Sequence, residues 1–211
     1  MASIFGLLDV PLGMPGYSTL SRRARTMASI SKAMQWKPFQ FSGKVYDLAH
    51  LHPRSATYEQ PAKGDAPARA FRVDAIFGLR CFTRGRDQKV PQENALLYGD
   101  DREIRVFDFV RHELSKRLPE IIEGLPQRKC YHTGKGNFFS VEIVRGDGRV
   151  VEYDIFFVAT RSSARGKINL YVQSAYVRDA EHASNRPDRK PIGSYLILFN
   201  TQNNKPINVP K

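Results

Sequence analysis

Three stretches between Phe139 and Ser174 place apolar side chains at every second position, and this period of two constrains the fold more than any other feature of the chain. Phe139, Val141 and Ile143 alternate with Ser140 and Glu142, and Val151, Tyr153, Ile155 and Phe157 alternate with Glu152 and Asp154. Successive strand residues point to opposite faces, so such a run suits a strand with one face on a core. Gly146-Asp147-Gly148 between the first two runs is a hairpin signal and makes the pair antiparallel. The basic loop Arg161 to Lys167 then leads into Ile168, Leu170, Val172 and Ser174, and after a polar insertion Tyr195 to Phe199 reads as a fourth strand.

Upstream, the period changes. Between Asp101 and Leu125 the residues Phe107, Val110, Leu114, Leu118, Ile121, Ile122 and Leu125 recur at spacings of three and four, which predicts a helix kinked or divided at Pro119. Two further strands are expected before it, one from Phe39 to Leu48 and one from Ala70 to Phe82, with polar connections over 54–67 and 84–101. The fold class that follows is α+β: one main helix and a four-stranded antiparallel meander, preceded by two strands. Thirteen Phe and nine Tyr supply aromatic material suited to half-buried strands.

Lys and Arg outnumber Asp and Glu by 33 to 21, a net charge of +12. By segment the excess is +3 in 1–35, +3 in 36–100, +2 in 101–145 and +4 in 146–211, so no single tail carries it. A distributed excess of this size attracts polyanions and makes nucleic acid the expected partner. Cys81 and Cys130 lack the spacing of a zinc site, and no disulfide framework is indicated. A reducing, cytoplasmic location is the expectation, since MASIFGLLDVPLGMPG lacks basic residues ahead of its apolar run and nothing approaches the roughly 20 apolar residues of a membrane helix.

Leu8 to Met27, LDVPLGMPGYSTLSRRARTM, resembles the segment just upstream of the catalytic domain in a group of bacterial insertion-sequence transposases of the DDE type. That resemblance implies a following ribonuclease-H-like domain with three metal-binding carboxylates. The continuation MASISKAMQWKPFQFSGKVYDLAHLHP does not resemble one. Residues 1–26 are therefore expected to be an irregular transposase remnant, and 27–211 a single basic domain beginning at Met27.

Two basic loops carry the candidate chemistry. In Lys129 to Asn137, KCYHTGKGN, His132 stands three residues from Lys135; a neutral imidazole can take a proton from a ribose 2′-hydroxyl while an ammonium stabilises the phosphorane, with no metal. In Arg161 to Lys167, RSSARGK, Arg161 and Arg165 offer forked donors to phosphate. His132, Lys135, Arg161 and Arg165 are the candidate catalytic residues. Lys129, Lys167, Tyr171, Tyr176 and Arg178 are the candidate binding residues, the tyrosines as stacking platforms on opposite faces of their strand. His50 and His52, two apart with Asp47 near, could form a metal pair, but Pro53 ends the strand there and no metal or other cofactor is expected.

A helix followed by a basic antiparallel meander resembles, in element order, the metal-independent toxin ribonucleases of the barnase and colicin type. The expectation is a nucleic-acid-binding protein, RNA favoured over DNA, with endoribonuclease activity as its sharpest form. The alternatives are a transposase-derived product without activity and a nonenzymatic module that binds a protein or small ligand.

Overall fold

The computed structural model describes residues 35–87, 93–100, 102–146, 149–178 and 187–210. Strand dominates them. Twelve strands run in chain order: β1 (Phe39–Phe41), β2 (Lys44–Tyr46), β3 (Arg54–Gln60), β4 (Arg69–Arg80), β5 (Thr83–Arg84), β6 (Leu97–Gly99), β7 (Ile104–Phe107), β8 (Cys130–His132), β9 (Phe138–Gly146), β10 (Arg149–Arg161), β11 (Lys167–Val177) and β12 (Lys190–Ile192). Three α-helices accompany them, α1 (Phe109–Ser115), α2 (Leu118–Glu123) and α3 (Ser194–Gln202).

A seven-stranded sheet in the order β12-β8-β9-β10-β11-β4-β3 forms the body. Its centre is the β9-β10-β11 run, paired antiparallel as the alternation requires. The sheet goes on past the expected meander: β4 joins β11 in parallel, β3 pairs antiparallel with β4, and β8 and β12 extend the other edge. One main helix followed by four strands is thus the wrong architecture, for three physical reasons. Ile104–Phe107 pairs with β5 and β6 as a strand, and Asp108 starts the helix after it, its carboxylate accepting from Arg111 N–H at 3.0 Å. Pro119 then opens a separate helix, where its missing N–H costs nothing. Finally, Tyr195–Phe199 belongs to α3, whose buried Ser194, Ile197, Leu198 and Thr201 recur with helical spacing.

The polar stretch after Pro53 contains β3, whose Tyr58 is buried and donates to Ile122 O at 2.5 Å. Strand β4 is buried continuously from Ala75 to Leu79, as a strand flanked on both sides and covered on both faces should be. Phe71, Phe77 and Phe157 are at most 1% exposed; burying each is worth about 1.5–3 kcal/mol. Helices α2 and α3 contribute Leu118, Ile122, Ile197 and Leu198 to the same core. Trp36 donates from its indole to Phe77 O at 3.0 Å and packs edge-on against Phe82, which ties an aromatic cluster to this sheet.

The opposite face carries a second feature. Tyr131, Phe139, Phe156 and Tyr176 stack in sequence across β8, β9, β10 and β11, with ring centroids 5.1, 5.4 and 5.8 Å apart. Among the described residues no helix is long and apolar enough to cross a membrane.

Candidate functional site

The candidate residues divide between the two faces of the sheet. On the α3 side a cleft of about 370 Å³ is lined by His132, Thr160, Arg161, Thr201, Asn204 and Lys205, together with Gly136 and Phe138. His132 and Arg161 therefore meet. They do so because β8 and β9 form a hairpin whose turn uses Gly134 and Gly136 at φ 79° and 76°, conformations a glycine adopts without a Cβ clash. Strand β10 passes the start of β9, where Phe157 faces Phe138, and runs four residues further to Arg161.

Gly134 N–H donates to His132 Nδ1 at 2.8 Å, so the neutral ring carries its proton on Nε2. Lys205 reaches the cleft through the end of α3. Asn204 adopts φ 53°, the left-handed conformation that Asn tolerates after a helix, and Lys205 N–H returns to Asn200 O at 2.8 Å. Thr160 Oγ1 is buried without a hydrogen-bond partner. No carboxylate lines this cleft among the described residues.

Other candidates lie elsewhere. Lys129, Lys135 and Arg165 are exposed and do not line the cleft. Lys167 pairs with Asp74 at 3.1 Å over a shallow depression of about 180 Å³ beside Ser55, Thr57 and Arg72. Arg178 pairs at 3.1 Å with Asp154, which is fully buried, and lies 5.7 Å from the Tyr176 ring centroid.

Tyr171 and Tyr176 share one groove, not two faces. They are five residues apart, which in a regular strand would separate them, but the register shifts between Val172 and Ser174 against both β10 and β4. The bulge turns Ser174 and Tyr176 to the side of Tyr171. The groove, about 620 Å³, also takes in Arg80, Arg102, Glu103, Asn137, Phe156 and Gln173. Tyr171 crosses β4 where only glycine fits: a Cβ on Gly78 would lie 2.6 Å from Tyr171 Oη. Burial pushes the Tyr171 phenol above its ordinary value. Here the charges are balanced, since Arg80 pairs with Glu103 at 3.3 Å and Arg102 with Asp100.

His50 and His52 diverge. His50 Nε2 meets Ser115 Oγ at 2.8 Å while His52 Nε2 donates to Trp36 O at 3.3 Å. Asp47 is engaged locally, its carboxylate accepting from Ala49 N–H at 3.0 Å. Ser115 itself donates to His112 O, so its Oγ accepts from His50. Burial, then the neighbouring His112, push the His50 ring down to about 4. No group of three or more His, Cys, Asp or Glu able to hold a metal ion occurs among the described residues.

Lys205, Thr201 and Asn204 escape sequence reasoning because 195–199 reads as a strand; the Asn203-Asn204 pair after an apolar run was the available signal for a helix end. Arg80, Glu103 and Gly78 carry no local signal, since the groove exists only where β4 meets β11.

Fold and cleft together define a mixed-sheet protein with, on one face, a cationic cleft whose described lining holds no carboxylate and, on the other, an aromatic, charge-balanced groove. The chain belongs to the YjaZ family, whose model matches residues 38–202. No curated protein and no solved structure matches it. This membership corrects the kinship expected from the sequence: the family shown is this one, over 38–202, and not that of the insertion-sequence transposases or of the barnase- and colicin-type ribonucleases. The transposase-like stretch 8–27 lies outside both the matched and the described residues.

Proposed function

We propose that this chain binds nucleic acid, RNA in preference to DNA, and seats a backbone phosphate in the cleft of His132, Arg161 and Lys205. The observation that carries this is the imbalance of charge in that cleft. Two cations line it with no carboxylate among the described residues, whereas each arginine named in the opposite groove has an acidic partner. A phosphate entering the groove would have to displace a carboxylate; one entering the cleft displaces only water and counterions.

Arg161 offers the forked donor geometry that matches two phosphate oxygens, and Lys205 adds a point charge. His132, with Nδ1 accepting from Gly134, has Nε2–H to donate to an oxygen. In that tautomer it acts as a phosphate contact, and service as a base toward a 2′-hydroxyl would first require Gly134 to release Nδ1. The Asn204 amide in the cleft lining offers a donor and an acceptor able to meet a ribose 2′-hydroxyl, which supports RNA over DNA.

The test is affinity for RNA and DNA oligomers of one sequence at low salt. Arg161→Ala and Lys205→Ala should each weaken RNA binding by roughly five- to thirtyfold, about 1–2 kcal/mol for a partly exposed charge-assisted contact. Unchanged affinity in both variants removes the cleft from the account. Incubating the complex with a chelator distinguishes binding from metal-independent cleavage: intact RNA supports the role assigned to His132, and fragments lost in His132→Ala return it to catalysis.

A further inference from the structure

Phe199, in the second half of α3, has a cation over its ring from each of two elements. Arg69 Cζ lies 4.4 Å from the ring centroid and Lys205 Nζ 5.2 Å. The two charges therefore sit within one Debye length, about 10 Å at 0.1 M salt, and repel each other. Among the described residues neither side chain makes an ion pair or a hydrogen bond. Contact with a ring face holds a guanidinium or an ammonium without using its N–H groups, so these stay available to an oxygen acceptor.

The sheet puts Arg69 on the same face as the phosphate cleft. Opposed residues of paired strands share a face, and Arg161 on β10 stands opposite Ile168 on β11, which stands opposite Val73 on β4. Arg69 lies an even number of residues before Val73 and keeps its side, with buried Phe71 between them. Glu59, the acidic residue of β3, opposes Ala70 and so belongs to the other face. Helix α3 is fixed over the cleft face at both ends: Tyr195 Oη donates to Glu59 O at 2.6 Å and Gln202 Nε2 to Gly166 O at 3.2 Å. Lys205 follows that helix into the cleft, and Phe199 carries the cationic surface on from Lys205 to Arg69.

We propose that Arg69 makes a second phosphate contact and that Phe199 positions it together with Lys205, an inference that rests on the nucleic-acid function proposed above. The bound strand then leaves the His132–Arg161–Lys205 cleft across Phe199 toward the start of β4. Phosphates recur about every 3.4 Å of axis along each strand of a duplex, so a span of this length accepts neighbouring phosphates of one strand. Their negative charge relieves the repulsion between Arg69 and Lys205, and the Arg69 fork can take two oxygens of one phosphate. Phe199 itself acts through the two cations, and the alternative, a base stacked on its ring, is separated by the experiment.

The experiment measures the affinity of the full chain for a short oligouridine RNA across a salt series. Arg69→Ala should weaken binding at low salt by roughly five- to thirtyfold and make the slope of log affinity against log salt shallower by about 0.7. Phe199→Leu should weaken binding, and Phe199→Tyr, which keeps the ring, should restore it. In the Arg69→Ala/Lys205→Ala background Phe199→Leu should cost nothing further, since the ring has no cation left to position; a further loss there would assign the ring to a base and overturn its positioning role. If Phe199→Leu fails to fold by circular dichroism, Arg69→Ala alone decides the contact. RNA binding that Arg161→Ala weakens and Arg69→Ala leaves unchanged in affinity and slope overturns the second contact and leaves the cleft standing. No RNA binding by the unaltered chain at low salt removes both.

Discussion

Gly78→Ala is a substitution of one methyl group at the point where the groove is built. The added Cβ would lie 2.6 Å from Tyr171 Oη, 3.0 Å from Tyr171 Cζ and 3.1 Å from Gln173 O. The first two contacts are relieved if the tyrosine swings out of the groove. The third is backbone held in the bulged β4–β11 pairing and cannot move without disturbing the ladder. Overpacking of this kind costs about 1–3 kcal/mol, which for a chain of this size lowers the melting temperature by about 2–12 °C. A double-mutant cycle with Tyr171→Phe isolates the cause, because deleting Oη removes the closest contact. The double variant should be more stable than the sum of the single effects predicts by about 0.5 kcal/mol or more. A neutral Gly78→Ala, or strict additivity in denaturant titrations of the four proteins, would refute the placement of Tyr171 over β4 and with it the shape of the groove.

Two further outcomes follow from buried charge and titration. Asp154→Ala leaves Arg178 facing a buried site without its carboxylate and should cost about 3–5 kcal/mol, read by chemical denaturation; a loss below 1 kcal/mol would show that the pair is dispensable. His50 binds a proton less readily folded than unfolded, so the unfolded state carries more protons and stability should fall as pH drops from about 6.5 to about 4. The ring faces Ser115 and His112, with Asp47, Glu113 and Lys116 in its field, and His50→Gln should flatten the upper part of that window in denaturation midpoints measured against pH; an unchanged profile contradicts the assignment.

Alternation made β9, β10 and β11 legible, because each residue's side is fixed by a period of two and the hairpin is local. The parallel β4–β11 neighbourhood left no such trace: it joins segments about a hundred residues apart, and nothing in either strand names its partner. Tyr195–Phe199 is too short an apolar run for period to separate strand from helix, so α3 and with it Lys205 were missed. His132 and Arg161 were legible as cations and imidazole in polar turns. That they share a cleft depends on β9 and β10 pairing in register, with Phe138 opposite Phe157. The tyrosines show the converse failure, since parity along β11 sends Tyr171 and Tyr176 apart and only the bulge at Gln173 reunites them.

The central claim is that a phosphate backbone is bound in the His132–Arg161–Lys205 cleft, and the salt dependence of RNA affinity measures it most directly. Each phosphate contact on a single strand contributes a slope of about −0.7 in log affinity against log salt. The double variant Arg161→Ala/Lys205→Ala removes two such contacts, so its slope should be shallower than that of the unaltered chain by about 1.4, with the fold intact by circular dichroism. An unaltered chain that shows no RNA binding at low salt, or a double variant with the same slope, would contradict the account.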